Sequence, residues 1–219
     1  YIAAHPEAAA ERAARDAHAG IHALEETAFT GIQVQLFDTQ SLCQRPLDPT
    51  LHAIDGDKRA LIVNIDYAFG QQAEEIITNL IQLFGANLDS VNVLGKAGGL
   101  FGHRGDILLP TAFLEQRSEL FAPLDQDTTA QAAALSRLAG NRQVHVGPVL
   151  TVSGTLLQNA TMLHFYRRIW RCVGLEMEGS YYHRPLQEAR ARGLVRPDLA
   201  LRYLYYVSDM PLDVEANLS

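Results

Sequence analysis

The segment from residue 59 to residue 106 constrains the fold of this chain more than any other. It begins with RALIVNID, a β-rich run typical of a fully buried strand. The next run, QQAEEIITNLIQLFG, has apolar residues at helical spacing and ends on Gly85, a common helix stop. A further apolar run, SVNVLG, predicts a second buried strand that leads into the glycine-rich loop GKAGGLFGHRGD. This strand, helix, strand order predicts an α/β sheet, and open α/β sheets bind ligands at the carboxyl ends of their strands.

Similar patterns continue on both sides of this segment. Residues 6 to 28 are rich in alanine and mixed charges, with Pro6 near the start, which predicts one long helix. GIQVQLFDT alternates apolar and polar residues as a half-buried strand does. Beyond residue 106, the expected strands DILLP, VHVGPVLTVSG and LRYLYYVSD alternate with the expected helices DTTAQAAALSRLAG and EMEGSYYHRPLQEARARG. The fold class expected is therefore α/β.

Composition narrows the classes of partner. A chain of 219 residues that is 47% hydrophobic can bury one substantial core, which favours a single domain. The formal net charge of -7 argues against nucleic acid or an anionic membrane surface as the main partner, so a small molecule is expected. The two cysteines, Cys43 and Cys172, have neither CxxC nor zinc-ligand spacing, which favours a reducing, cytoplasmic compartment. No apolar run is long enough to span a bilayer, and the N-terminus does not resemble a signal peptide.

The segment RCVGLEMEGSYY, residues 171 to 182, carries two carboxylates in an otherwise apolar context. Glu176 and Glu178 flank Met177 and precede a glycine at the start of a predicted helix. Acidic residues are favourable near the positive end of a helix dipole, so the pair has a purely structural interpretation. Ionised carboxylates also accept strong hydrogen bonds from ligand hydroxyls, so a binding role is the alternative.

Four segments occur in a characteristic order: GKAGGLFGHRGDILLP, TVSGTLLQN, GLEMEGSYY and YVSDMPL. In this order they resemble the signature blocks of the nucleoside phosphorylase and nucleosidase superfamily. Within it, the adenosylhomocysteine/methylthioadenosine nucleosidases and the catalytic domain of AMP nucleosidase are the most similar. The resemblance spans about Gly31 to Leu212. It implies a nucleoside phosphorylase-like domain, 31–219, with a central twisted mixed sheet flanked by helices. The alanine-rich pattern before it predicts a separate N-terminal helical segment, 1–30.

The resemblance also implies roles for particular residues. Met177 would pack under the ribose, and Glu178 would accept hydrogen bonds from its 2′- and 3′-hydroxyls. Asp209, the candidate catalytic acid, would protonate or hydrogen-bond N7 of the base, which favours a purine because pyrimidines have no N7. The other substrate-binding positions that it implies are Ala97, Gly98, Glu176 and Ser208. For Glu176, capping of the following helix is an equal alternative.

Three positions depart from the family pattern. Relatives place a phenylalanine against the base, where this chain has Leu157 with Gln158 beside it. Phosphorylases carry an arginine where this chain has Val93, so phosphate would lose a bidentate partner. Lys96 stands where relatives have a small hydroxyl residue; it either contacts an anion, such as a 5′-phosphate, or is solvated. Hydrolysis is therefore favoured over phosphorolysis.

One departure keeps other functions open. In the nucleosidases a glutamate just after the first strand acts as the base that orients the attacking water. In this chain a charged helix is expected upstream of GIQVQLFDT, and nothing in the context of Glu25 and Glu26 marks either as that glutamate. A catalytically silent nucleoside-binding module is thus an alternative to a nucleosidase; a Rossmann domain is a weaker one, because no GxGxxG follows the first strand. No cofactor is expected, and no metal is assigned to His103, His145 or His183. The relatives, the predicted N-terminal helix and the pair Tyr181 and Tyr182 favour a homodimer or higher homo-oligomer.

Overall fold

The computed structural model describes residues 6–24, 31–42, 59–116, 118, 120–125, 128–154 and 159–213. The chain divides into two compact units, Tyr1–Tyr67 and Ala68–Ser219. The predicted domains, 1–30 and 31–219, divide the chain at a different place and stay a prediction.

The first unit contains a three-stranded antiparallel sheet in the order β1-β2-β3. Its described elements are α1 (Pro6–His18), β1 (Ile21–Leu24), β2 (Val34–Asp38), α2 (Thr39–Leu42) and β3 (Leu61–Ile65).

Two expectations for the first unit are wrong. The helix expected over residues 6 to 28 ends at His18, because Gly20 takes a φ of +75° that side-chain-bearing residues rarely adopt, and the chain continues into β1. The run RALIVNID was expected to be fully buried, but β3 has exposed and half-buried side chains. Among the described strands, β3 pairs with β2 at an edge of the three-stranded sheet, whereas β4 (Ser90–Gly99) belongs to the other sheet, so the strand, helix, strand segment does not form one sheet.

The second unit is an α/β unit built around one mixed sheet. Its described helices and strands are α3 (Gly70–Phe84), β4 (Ser90–Gly99), β5 (Ile107–Glu115), β6 (Phe121–Pro123), α4 (Thr128–Leu138), β7 (Val144–Thr151), α5 (Ala160–Arg168), β8 (Gly174–Glu176), α6 (Gly179–Ala191) and β9 (Ala200–Asp209). The predicted helix stop at Gly85 is confirmed, since this glycine follows α3 with a φ of 48°. Helix α5 was not anticipated from the sequence.

The six strands of this sheet lie in the order β6-β5-β7-β8-β4-β9. Strand β9 also pairs with β5, so β5, β7, β8, β4 and β9 close into a five-stranded barrel. The predicted mixed sheet is confirmed, because β4 is parallel to β9 and antiparallel to β8. The predicted α/β class is confirmed as well, whereas closure into a barrel was not predicted.

Buried side chains of the barrel strands form the main core. This cluster consists of Ala97, Leu108, Phe113, Val149, Val173, Tyr203, Tyr205 and Val207. A second cluster joins α3 to α6 through Ile77, Ile81, Leu186 and Ala189. Burying such apolar side chains contributes about 1.5 to 3 kcal/mol each relative to leaving them exposed. The packing of α6 on α3 fixes where the segment 176–178 meets the barrel.

The glycine-rich segment GKAGG is a strand rather than the predicted loop, because β4 continues to Gly99. A β-carbon at Gly98 would lie 3.2 Å from the Pro211 side chain and 3.3 Å from that of Leu175, so the glycine permits tight packing of the neighbouring strands. The first half of β4 was expected to be buried, but its side chains alternate between exposed and half-buried, and Leu94 is 78% exposed. Among the described helices, none is long and apolar enough to cross a membrane.

Candidate functional site

The junction between β8 and α6 carries the two carboxylates of EMEG. Glu176, the last residue of β8, is buried, and its Oε2 accepts hydrogen bonds from the backbone N–H groups of Glu178 at 2.6 Å and Gly179 at 2.5 Å. Its Oε1 accepts a third bond, 2.5 Å long, from the Thr151 hydroxyl. Because helix N-termini leave N–H groups without intrahelical partners, Glu176 stabilises the start of α6. This geometry favours the capping alternative for Glu176.

Glu178 lies on the barrel side of the same junction. It is 8% exposed, and its Oε2 accepts a hydrogen bond from the Met177 N–H at 3.0 Å. Its Oε1 lies against β4, where a β-carbon at Gly95 would be only 2.6 Å away. The ring of Tyr205 borders the same position, 2.7 Å from such a β-carbon. Gly95 therefore creates the space that admits the Glu178 carboxyl.

The two carboxyl groups titrate far from their ordinary range. Burial raises the pKa of Glu176 to about 7. Burial, and then repulsion from Glu176, raise the pKa of Glu178 to about 8. A buried carboxyl resists ionisation because it loses hydration, and a second negative charge close by increases that resistance. The pair therefore holds at least part of a proton near neutral pH, and donors from a ligand would shift it toward the ionised form.

The carboxyl end of β9 brings the second group of predicted residues to the same edge of the barrel. Strand β4 lies between β8 and β9, so that Gly98 is paired with Leu175 on one side and with Asp209 on the other. The register shifts between Ala97 and Gly98, so that Ser208 is an additional residue in β9. Such a bulge turns side chains away from the regular alternation. At the usual strand spacing, Asp209 and Leu175 lie about 10 Å apart.

Ser208 and Asp209 are both half-buried and interact with each other. The Ser208 hydroxyl lies 2.7 Å from Oδ1 of Asp209 and 3.3 Å from the carbonyl oxygen of Ala97, and it can donate to either. The predicted residues Ala97, Gly98, Ser208 and Asp209 thus share one strand pair, one strand away from Glu176 and Met177.

Other predicted residues lie elsewhere. Lys96 is exposed on β4 and is paired in register with the exposed Tyr206, although its charge opposes the rise in the pKa of Glu178. Leu157 and Gln158 lie outside the described residues. His183 is buried on α6 beside Tyr203 of β9, and burial lowers its pKa to about 4.

A cleft of about 930 Å³ opens beside Met177, between α3, the start of α6 and the ends of β5 and β7. It is lined by Phe69, Gly70, Gln71, Glu74, Glu75, Thr78, Asn79, Glu115, Val152, Ser153, Met177, Tyr181 and Arg184. The backbone joins its walls, since the N–H of Gly70 donates to the carbonyl oxygen of Met177 at 3.0 Å.

Sequence reasoning did not identify the charged residues of this cleft. Arg184 pairs with Glu74 at 2.6 Å and approaches Glu115 at 3.6 Å. Glu115, Thr151 and Glu176 form a row in register across β5, β7 and β8. Glu115 falls in the run TAFLEQRSELFA, which has no clear periodicity, and Arg184 belongs to a helix whose partner helix is distant in sequence, so neither position carried a signal.

Comparison with known proteins identifies a sequence family and solved structures of similar fold. No curated protein matches this chain in sequence. AMP nucleosidase from Bacteroides thetaiotaomicron has 18% identity and a TM-score of 0.57, with 91% of this chain and 74% of that chain covered. The 5′-methylthioadenosine/S-adenosylhomocysteine nucleosidase from Campylobacter jejuni has 14% identity and a TM-score of 0.62, with 90% and 80% covered. A mutant of futalosine hydrolase from Helicobacter pylori has 14% identity and a TM-score of 0.61, with 91% and 80% covered.

These solved structures belong to the nucleoside phosphorylase and nucleosidase superfamily, which confirms, at the level of the fold, the resemblance carried by the four sequence blocks. A family model matches the chain from residue 1 to residue 219. The chain therefore belongs to DUF6909, a family of unknown function.

Proposed function

We propose that this protein cleaves the N-glycosidic bond of a purine nucleoside or nucleotide by hydrolysis. The observation that carries the proposal is the arrangement around the end of β4. Glu178, a buried carboxyl with a raised pKa, lies against Gly95, and Asp209 lies beside Gly98 on the neighbouring strand. Two carboxyl groups with different surroundings suit two different tasks, which are holding the sugar and protonating the base.

Asp209 is proposed as the general acid. As the bond between C1′ and the base nitrogen breaks, its electron pair moves to the base, and a proton from Asp209 goes to N7. The oxygen of water forms the new bond to C1′ and gives up one proton to the solvent, from which Asp209 is reprotonated, so the products are the free base and the free sugar. The Ser208 hydroxyl, 2.7 Å from Oδ1 of Asp209, orients the carboxyl. General acid catalysis of this kind typically contributes a factor of about 100 to 10,000.

Glu178 is proposed to accept hydrogen bonds from the 2′- and 3′-hydroxyls of the ribose, with Met177 packed against the sugar. One Glu178 oxygen, Oε2, accepts a single hydrogen bond from the protein. Both Glu176 oxygens already accept short hydrogen bonds from the protein. Glu178 is accordingly the better acceptor for a ligand. Glu178→Gln should weaken binding of ribonucleosides, while 2′-deoxynucleosides lose little.

Water is favoured over phosphate as the nucleophile because the position of the phosphorylase arginine is Val93. The decisive assay measures release of free base from purine nucleosides and nucleotides, with and without inorganic phosphate. We expect base release without phosphate, and free ribose or ribose 5-phosphate rather than ribose 1-phosphate. Release that requires phosphate would replace the hydrolase by a phosphorylase.

A catalytically silent nucleoside-binding module is the second candidate, favoured because the sequence offers no marked glutamate to activate water. One part of that argument is corrected by the structure, since a strand, β1, does precede GIQVQLFDT and ends immediately before Glu25 and Glu26, which lie outside the described residues. Binding of purine nucleosides without base release in either condition would favour the silent module.

We further propose a cytoplasmic homodimer or higher homo-oligomer. Tyr181 and Tyr182 give little support to self-association, because Tyr181 lines the cleft and Tyr182 packs against the core. Exposed apolar side chains on and next to α5 support it better, among them Phe165, which is 50% exposed, and Ile169, which is 67% exposed. Light scattering at micromolar concentration should give more than the monomer mass, and a monomer would contradict the proposal.

A further inference from the structure

The cleft beside Met177 has an unusual balance of charge. Its described lining contains three carboxylates, Glu74, Glu75 and Glu115, against one guanidinium, Arg184, so the formal charge of the lining is -2. Lys96, the cation that the sequence offered for an anionic group, is not among the described residues that line it. A ligand in this cleft therefore meets a net negative wall.

Arg184, the one cation among the described lining residues, already has carboxylate partners. Arg184 lies 2.6 Å from one Oε of Glu74 and 3.6 Å from one of Glu115, and Glu115 is 8% exposed. A desolvated carboxylate left without its cation is costly, so Glu115 holds Arg184 in place. A ligand phosphate at Arg184 would have to share the guanidinium with two carboxylates that already neutralise its charge.

Besides Arg184, a helix end contributes positive charge at the cleft. The N-terminus of α3, at Gly70 and Gln71, borders the cleft, and a helix N-terminus carries about half a positive charge. The N–H of Gly70 already donates to the Met177 carbonyl oxygen, which reduces what this end can offer an anion. The carboxylates therefore outweigh the helix end.

The position of the cleft indicates which part of a substrate it would hold. With the ribose at Met177 and Glu178 and the base at Asp209, a nucleoside has one end left, its 5′ substituent. Of the residues proposed for the sugar and the base, only Met177 is among the described residues that line the cleft, and Glu178, Ser208 and Asp209 are not. The cleft therefore meets the proposed sugar site at Met177, and its described lining does not include the acid proposed for the base.

We propose that this cleft receives the 5′ substituent and rejects a phosphate there, so that the substrates are nucleosides with a neutral or amine-bearing 5′ group rather than nucleotides. This inference rests on the proposed function. The lining repels a phosphate dianion by Coulomb interaction and attracts an ammonium group at the same place. The same charges make the preference sensitive to salt, because ions screen partly exposed charges such as Glu74.

The test is calorimetric titration of the full chain carrying Asp209→Asn, which is expected to bind substrates but cleave them slowly, so that the heat reports binding. The ligands are adenosine, inosine and guanosine, their 5′-monophosphates, and 5′-amino-5′-deoxyadenosine, and the variants below are made in the same background. For the base that binds, the nucleoside should bind at least about tenfold more tightly than its monophosphate, and, if that base is adenine, the amine should bind more tightly still. Raising the salt concentration from about 0.05 to 0.5 M should narrow this difference.

Glu74→Gln supplies the matched variant. It removes one negative charge and the 2.6 Å partner of Arg184, so the preference for nucleoside over monophosphate should fall by about fivefold or more. Glu188→Gln is the control, since Glu188 lies on the same helix as Arg184, is 59% exposed and does not line the cleft. Circular dichroism of both variants establishes that they fold.

The possible results distinguish a failure of the charge selection from a failure of the proposed function. Equal or tighter binding of the monophosphate, or an unchanged preference in the folded Glu74→Gln variant, overturns the charge selection alone and leaves a nucleosidase in place. A protein that binds none of the nucleosides or monophosphates overturns the proposed function and this inference with it.

Discussion

Replacing Glu178 with glutamine should stabilise this protein in alkaline solution while it weakens the proposed ribose contact. Burial and repulsion from Glu176 raise the pKa of Glu178 from 4.5 to about 8. Glutamine has nearly the same shape, its carbonyl oxygen can still accept the bond from the Met177 N–H, and it cannot ionise. The variant thus removes the cost of the buried charge and keeps the packing.

The sign follows from proton binding. Between pH 4.5 and about 8 the folded protein holds a proton on Glu178 that the unfolded chain has lost, so rising pH favours the unfolded chain and stability falls across this window. Below pH 4.5 both states are protonated, and above about 8 both are ionised. The advantage of glutamine therefore starts near pH 4.5 and is complete above pH 8.

The magnitude can be bounded. A rise in the pKa from 4.5 to about 8 corresponds to at most about 5 kcal/mol, at about 1.4 kcal/mol for each pH unit. Since Glu176 contributes part of this rise and relaxes when its neighbour becomes neutral, we expect a gain of about 2 kcal/mol in the free energy of unfolding at pH 8.5. For a chain of this length that is about 4 to 8 °C in Tm.

The assay is thermal unfolding followed by circular dichroism at pH 4.5 and pH 8.5 for the wild type, Glu178→Gln and the exposed control Glu188→Gln. We expect a higher Tm for Glu178→Gln at pH 8.5, little difference at pH 4.5 and no pH-dependent change for the control. A lower Tm at pH 8.5, or the same gain at both pH values, would refute the assignment of a raised pKa to Glu178.

Three other substitutions test the remaining contacts. Asp209→Asn should slow base release by about 100-fold or more with a smaller change in binding, because an amide has no transferable proton, and unchanged release in single-turnover kinetics would exclude the acid role. Thr151→Val should lower the free energy of unfolding by about 1 to 3 kcal/mol in urea titration, because Glu176 loses a buried donor, and an unchanged midpoint would contradict this. Gly95→Ala should cost about 1 to 3 kcal/mol in the same titration and weaken nucleoside binding, since its β-carbon would lie 2.6 Å from Glu178, whereas a stable variant with wild-type affinity would show that the carboxyl does not need this space.

The sequence by itself determined the α/β class and most elements of the second unit. Helix α3 and its stop at Gly85 follow from apolar spacing and a glycine, which are local properties of the chain. The four ordered blocks also indicated the fold that the chain shares with the solved nucleosidase structures.

Local patterns failed where long-range pairing decided the outcome. Residues 21 to 24 have helical composition, yet they form β1 because β2 offers a partner and Gly20 turns the chain. An apolar run such as RALIVNID is compatible with a central or an edge strand, and only the order of the strands fixes its burial. Likewise, the glycine-rich run GKAGG predicts a loop from its sequence alone. In the fold it is part of a strand, and Gly98 packs against the bulky side chain of Pro211.

The tertiary structure alone decided the environment of the carboxylates. The sequence placed Glu176 and Glu178 two residues apart but could not tell which of them caps a helix, because that depends on the position of Thr151 in β7. The pairing of Arg184 with Glu74 joins residues 110 positions apart in the chain, and Glu115 reaches the same guanidinium from β5. Charges brought together by helix and strand packing leave no periodic trace in the sequence, so the cleft and its negative lining appear only once the chain is folded.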